Sequence, residues 1–128
     1  NIFSGFTLND LKLQAMCMQT LQTYANGKLV TASLTEEMLK ACGVDENNTQ
    51  MLLGRLNVLR GSEIFAFFKA VVPGEVRVSL RSTGRKINDV AAKHEGGGHD
   101  QAAACRFHDK TLEEVYNILL PELLAKFD

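Results

Sequence analysis

Gly96-Gly97-Gly98-His99 is the stretch of this chain with the most evident chemistry in it. Three consecutive glycines lose much conformational entropy on folding, so a fold keeps them where a side chain does not fit. Read as a loop, they can turn successive amide N–H groups toward one anion, a nest suited to phosphate. His99 beside them can donate a hydrogen bond to a phosphoryl oxygen, stabilising charge as it develops, or protonate a leaving group. Arg77, Ser79, Arg81 and Ser82 form a second candidate, because arginine makes bidentate contacts with phosphate. Polar residues at every second strand position also describe an ordinary solvated face, and these four alone leave both readings open. Arg85 and Lys86 sit at an expected helix start, where cations need either an anion or water around them.

Other reactive side chains read as structural. His94 closes an apolar stripe at a helix end, His108 follows a strand beside Asp109 and is expected to be exposed, and Cys105 alternates with Phe107 as a core position. No His, Cys or carboxylate cluster has metal-ligand spacing, and there is no G-x-S-x-G or Walker loop. Nothing here is equipped to activate water alone.

These residues need a scaffold, and the 128-residue chain is long enough for one domain with its own core. Its 14 Lys and Arg against 15 Asp and Glu give a net charge of −1, which excludes binding nucleic acid by bulk charge but allows a local basic pocket. No apolar run approaches the roughly 20 residues needed to span a bilayer, so no membrane is implied. Three cysteines without a C-x-x-C pair suggest free thiols in a reducing cytoplasm. The start at Asn1, rather than Met, is read as that of a fragment of something longer.

The periodicities place the elements. Leu8, Leu11, Ala15, Met18 and Leu21 make one helical stripe from Thr7 to Asn26, with Thr7 and Asp10 as a capping box and Asn26-Gly27 as a stop. Lys28–Leu34 reads as a strand, Thr35-Glu36-Glu37 opens a short helix stopped by Gly43, and Met51, Leu52, Leu56 and Leu59 mark a helix over about 48–59. Glu63–Val72 is apolar on both faces, which suits a central strand. A Pro73-Gly74 turn then leads into an antiparallel partner at Glu75–Ser82 with one polar face. A helix over about 85–94 runs into the glycines, a short strand follows at Ala103–Phe107, and Thr111 with Glu114 caps a last helix that Pro121 should kink or split. The expected class is α/β, mixed α+β: a central mixed sheet flanked by helices, with an N-terminal linker helix.

The run VRVSLRS at 76–82, followed by INDVAAKHEGGGHDQAAA at 87–104, resembles the C-terminal domain associated with DHH-family, RecJ-like phosphoesterases. That family includes oligoribonuclease/pAp-phosphatases and cyclic dinucleotide phosphodiesterases. Ser79-Leu80-Arg81-Ser82, Gly96-Gly97-Gly98-His99 and Ala102-Ala103 match its pattern in order and spacing over about residues 28–127; Ala104 stands where the family usually has glycine.

The resemblance implies a substrate-binding domain at 28–128, with residues 1–27 as a linker helix from a missing catalytic domain. It implies that Gly96, Gly97, Gly98 and His99 contact substrate phosphate and that Arg81, with Ser82, holds the nucleotide. Family catalysis uses two manganese ions in a preceding N-terminal DHH domain, and no D-H-H or D-x-D occurs here, so the fragment alone is expected to be inactive. The expected substrate is a short oligoribonucleotide or small phosphonucleotide. The alternatives are a stand-alone RNA- or tRNA-binding module, like the C-terminal part of alanyl-tRNA synthetase, and a structural domain pairing as a homodimer.

Overall fold

The computed structural model describes residues 7–44 and 61–128; the helix expected over 48–59 lies outside them. The described residues form a six-stranded mixed sheet with helices on both faces. In chain order the elements are α1 (Leu8–Gln19), β1 (Gln22–Tyr24), β2 (Leu29–Thr35), α2 (Glu36–Cys42), β3 (Ile64–Val72), β4 (Glu75–Ser82), α3 (Asn88–Ala92), β5 (Gly97–His99), β6 (Ala102–His108) and α4 (Leu112–Leu124), closed by a 3-10 turn at Ala125–Phe127. The strand order is β1-β2-β3-β4-β6-β5. β2 and β3 are parallel and every other pair is antiparallel. The doubly apolar strand is therefore internal, and β4 is its antiparallel partner, as the sequence implies.

Alternation along the strands builds two cores. On the lower face Leu29, Ile64, Ala66, Phe68, Val78, Leu80, Ala103 and Cys105 pack against Ile87, Val90, Val115, Leu119 and Leu123, so α3 and α4 cover it. On the upper face Val30, Ala32, Leu34, Phe65 and Phe67 pack under Leu13, Cys17, Leu39 and Cys42, so α1 and α2 cover the β2–β3 half. Tyr116 ties the layers together: its hydroxyl meets those of Tyr24 at 2.5 Å and buried Thr31 at 2.9 Å.

Three expectations are corrected. The first helix ends at Gln19, not Asn26, and the next residues add a short edge strand, β1. Its inner face is formed by Asp10, Leu13, Gln14 and Cys17, while the apolar stripe points outward, with Leu8, Leu11 and Met18 exposed by 66%, 44% and 42%. Pro121 neither splits nor ends α4, which runs unbroken to Leu124. Pro121 is exposed, and so is Asn117 one turn earlier, whose carbonyl loses its usual donor to the proline.

Candidate functional site

Among the described residues, the helices of the upper face pack on β2 and β3 and stop short of β4, β6 and β5. What these strands carry there is small or basic: Arg77, Ser79 and Arg81 on β4, Ala102, Ala104 and Arg106 on β6, Gly97 and His99 on β5, none of them buried.

The register brings the principal candidates together. Arg81 lies opposite Ala102, and Ala102 opposite His99, so the guanidinium and the imidazole flank one alanine in a single cross-strand row. The row is pinned from below. The Ser82 amide donates to the Gln101 carbonyl at 3.0 Å and the Ile87 amide to the Asp100 carbonyl at 2.8 Å, fixing the β5–β6 turn to β4 and to the start of α3. Among the described residues the Arg81 guanidinium has one hydrogen bond, to the Leu80 carbonyl at 3.4 Å, and meets no carboxylate. Beside it a small concavity of ≈ 90 Å³ is lined by Ser62, Glu63, Phe65, Arg81, Ser82 and Thr83.

The glycines separate into two kinds. A Cβ on Gly96 would lie 2.1 Å from the Ala104 carbonyl oxygen, and one on Gly98 would lie 2.6 Å from that of Ala102, with φ already +142°. Both are glycine because β5 presses against β6. A Cβ on Gly97 meets nothing within 4 Å. Its bareness has no cause inside the described chain and leaves backbone open on the upper face.

The expected phosphate nest is corrected. Gly97–His99 is a strand paired with β6, not a loop. Successive amides of a strand point in opposite directions, so three cannot converge on one anion. The side chains this row brings together are those of Arg81 and His99, beside alternate β5 amides.

Ser82 parts company with Arg81. It pairs with Ile64 on the lower face, and its hydroxyl donates to the Arg85 carbonyl. Arg85 is structural: it pairs with Glu63 at 2.8 Å, donates to the Lys126 carbonyl at 2.5 Å and lies 4.3 Å over the Phe127 ring. His94 follows α3, 2.7 Å from a Glu122 carboxylate oxygen and against Phe107. His108 is exposed and faces Glu95 at 3.2 Å. Burial pushes the Cys105 thiol up to about 11, which keeps it an unreactive core group.

A family profile, the DHHA1 domain, matches residues 26–127. The chain belongs to the DHHA1 domain family. Among curated relatives, this DHHA1 domain is 29% identical over 116 residues to the probable bifunctional oligoribonuclease and PAP phosphatase NrnA of Streptococcus mutans, covering 90% of this chain and 37% of that protein. It is 30% identical over 110 residues to NrnA of Thermus thermophilus, covering 85% of this chain and 32% of that protein. The chain thus spans about a third of the length of the curated relatives it matches. The fold is shared with an exopolyphosphatase-related protein from Bacteroides fragilis, at TM-score 0.75 and 19% identity over 94% of this chain and 36% of that one. It is shared also with the pGpG-specific phosphodiesterase PggH of Vibrio cholerae, at TM-score 0.65 and 16% identity over 92% and 40%. The DHHA1 domain is therefore one associated with nucleotide hydrolases.

Sequence reasoning missed what lies between and beyond the motifs. Ala102 and Ala104 floor the open half, and Arg106 ends it; the signal was the small-small-basic alternation of β6 opposite its apolar face. Among the described residues no group of three His, Cys, Asp or Glu side chains is placed to hold a metal ion, and no helix is long and apolar enough to cross a membrane.

Proposed function

We propose that this DHHA1 domain holds the phosphate of a short oligoribonucleotide or small phosphonucleotide on the open half of its sheet, as the substrate-binding part of a cytoplasmic metal-dependent phosphodiesterase. The observation that carries this reading is the row Arg81–Ala102–His99 beside bare Gly97. A phosphate over Ala102 is met from one side by a guanidinium with unused donors and from the other by an imidazole. Within the row, only the Ala102 methyl group stands between them. Gly97 lets a ligand approach the backbone where any other residue would present a side chain. Gly96 and Gly98 act one step back by letting β5 lie close enough to β6 to aim His99. Ser82, through the Arg85 carbonyl, and Arg85, through Glu63, hold the end of β4 that carries Arg81.

The names of the NrnA relatives support this choice of substrate class. The manganese pair of the family does not fit the described residues of this chain, which bring no carboxylate cluster together, so no step of water activation is assigned to them. That step is proposed to belong to a preceding DHH domain, and the isolated chain is expected to bind without turnover.

The test is an amide NMR titration of the chain with a 5′-phosphorylated dinucleotide. Shifts gathered at residues 81–82, 97–99 and 102–104, and abolished in Arg81→Ala, are expected. Shifts confined to the helical faces, or none at millimolar ligand, would overturn the reading.

A further inference from the structure

The open half of the sheet has a second cationic end that the Arg81–His99 row does not use. Lys69 on β3 lies opposite Arg77 on β4, and Arg77 lies opposite Arg106 on β6, so three basic residues occupy one cross-strand row on the upper face. Like charges directly opposite one another on a sheet repel. Glu75 offsets part of this: its carboxylate is 2.5 Å from the Arg77 Nε and only 3.9 Å from the Arg106 Nε. His108, the next upper-face residue of β6, has Glu95 at 3.2 Å as its own partner. Arg106 is exposed and holds no closer carboxylate among the described residues.

Arg106 and Ala102 are four residues apart on one strand, roughly 13 Å at the usual rise per residue. The positions between them on this face are Ala104, with Ser79 opposite it on β4 and Gly97 opposite it on β5. A flat floor of small groups with cations at both ends suits a chain of phosphates lying along the strand. One phosphodiester unit is too short to touch both ends, whereas an extended oligonucleotide of a few units reaches them.

We infer that Arg106, supported by its row neighbours Arg77 and Lys69, is a length-reading contact: it binds a distal phosphate of an oligonucleotide whose first phosphate sits at Arg81 and His99. This rests on the reading of the Arg81 row given above. It adds that the domain favours oligonucleotides over mononucleotides, and that the preference resides in a residue at the opposite end of the open face.

The experiment compares affinities of the chain for 5′-phosphorylated oligoadenylates of two and five nucleotides, as a function of salt. Wild type, Arg81→Ala, Arg106→Ala, Arg106→Lys and Arg106→Glu are measured, and circular dichroism checks that each is folded. Arg106→Ala should weaken the pentanucleotide about two- to fivefold, in keeping with one exposed ion pair, and leave the dinucleotide unchanged. The salt slope for the pentanucleotide should fall by about 0.7, one phosphate contact to a single strand. Arg106→Lys should restore that slope, and Arg106→Glu should exceed the alanine effect. If Arg106→Ala and Arg106→Glu leave the pentanucleotide unaltered, or weaken both ligands equally, the length-reading role is wrong while an Arg81→Ala loss keeps the phosphate site. If Arg81→Ala weakens neither ligand, the phosphate site itself is misplaced, and this inference falls with it.

Discussion

One row of residues crosses the whole sheet, Thr23–Val30–Phe65–Arg81–Ala102–His99, and its character changes half-way. On β2 and β3 it is apolar and lies under α1 and α2; on β4, β6 and β5 it is basic or small, half-buried at Arg81 and Ala102 and exposed at His99. The lower faces of the same strands show no such break, since Val78, Leu80, Ala103 and Cys105 continue the core without interruption. Strand formation and register are therefore secured from below along β4 and β6. Their upper face is free to be specified by something outside the sheet. The place to look for function is where apolar alternation survives on one face and is abandoned on the other.

The sharpest break of this comparison is Phe67→Ala against Arg81→Ala. Phe67 is 1% exposed in the covered half, so its truncation should remove about 3–5 kcal/mol of stability. Arg81 stands on a neighbouring strand with, among the described residues, no hydrogen-bond partner beyond a carbonyl, and its loss should stay within about 0.5 kcal/mol. Urea denaturation of the two variants measures both. An Arg81→Ala variant as unstable as Phe67→Ala would mean that the open half is structural.

The glycines sharpen the comparison within one tetrapeptide. Gly98→Ala forces a Cβ against the Ala102 carbonyl at a φ that side chains avoid, and should lower stability by about 1–3 kcal/mol. Gly97→Ala adds a methyl group to open space and should leave stability equal or raised by up to about 1 kcal/mol through the unfolded chain. It should nonetheless weaken phosphate binding. Thermal unfolding paired with the dinucleotide titration tests this. Equal destabilisation of both variants, or unchanged binding in Gly97→Ala, would erase the distinction drawn between them.

Much of this was legible in the sequence. The two capping boxes, the Gly43 stop, the doubly apolar β3 and the one-sided β4 declare themselves locally, through spacing alone. Arg81 and His99 were legible as candidates, but their adjacency was not, because only the register through Ala102 makes them neighbours. Periodicity picked out the wrong side of α1: the spacing of Leu8, Leu11 and Met18 marked one apolar stripe, yet Leu13 and Cys17 turned inward and those three did not. The glycine run passed for a loop, since nothing in Gly-Gly-Gly favours a strand until β6 supplies one to pair with. β1, three residues long just before the left-handed turn at Ala25-Asn26-Gly27, likewise exists only through its pairing with β2.

The smallest effect concerns the charge that tempers the open half. The Arg77 hydrogen bond, then the Arg77, Arg106 and His108 charges, hold the Glu75 carboxyl below its ordinary value of 4.5. A carboxyl depressed by folding contributes stability that is present above that unfolded value. The contribution is lost as pH falls through the folded one. Glu75→Gln should therefore lose about 0.2–1 kcal/mol at neutral pH. The gap to the parent chain should close as pH drops below 4.5. The same substitution removes the carboxylate shared by Arg77 and Arg106, so an incoming phosphate gains what the carboxylate gave, and pentanucleotide affinity should rise while stability falls. Opposite signs in the two measurements are what a face built for an anion requires. If stability and affinity fall together at neutral pH, Glu75 positions Arg77 and Arg106 instead of competing with the ligand. The far end of the open half would then be an ordinary ion-pair network, like the solvated surface elsewhere on the chain.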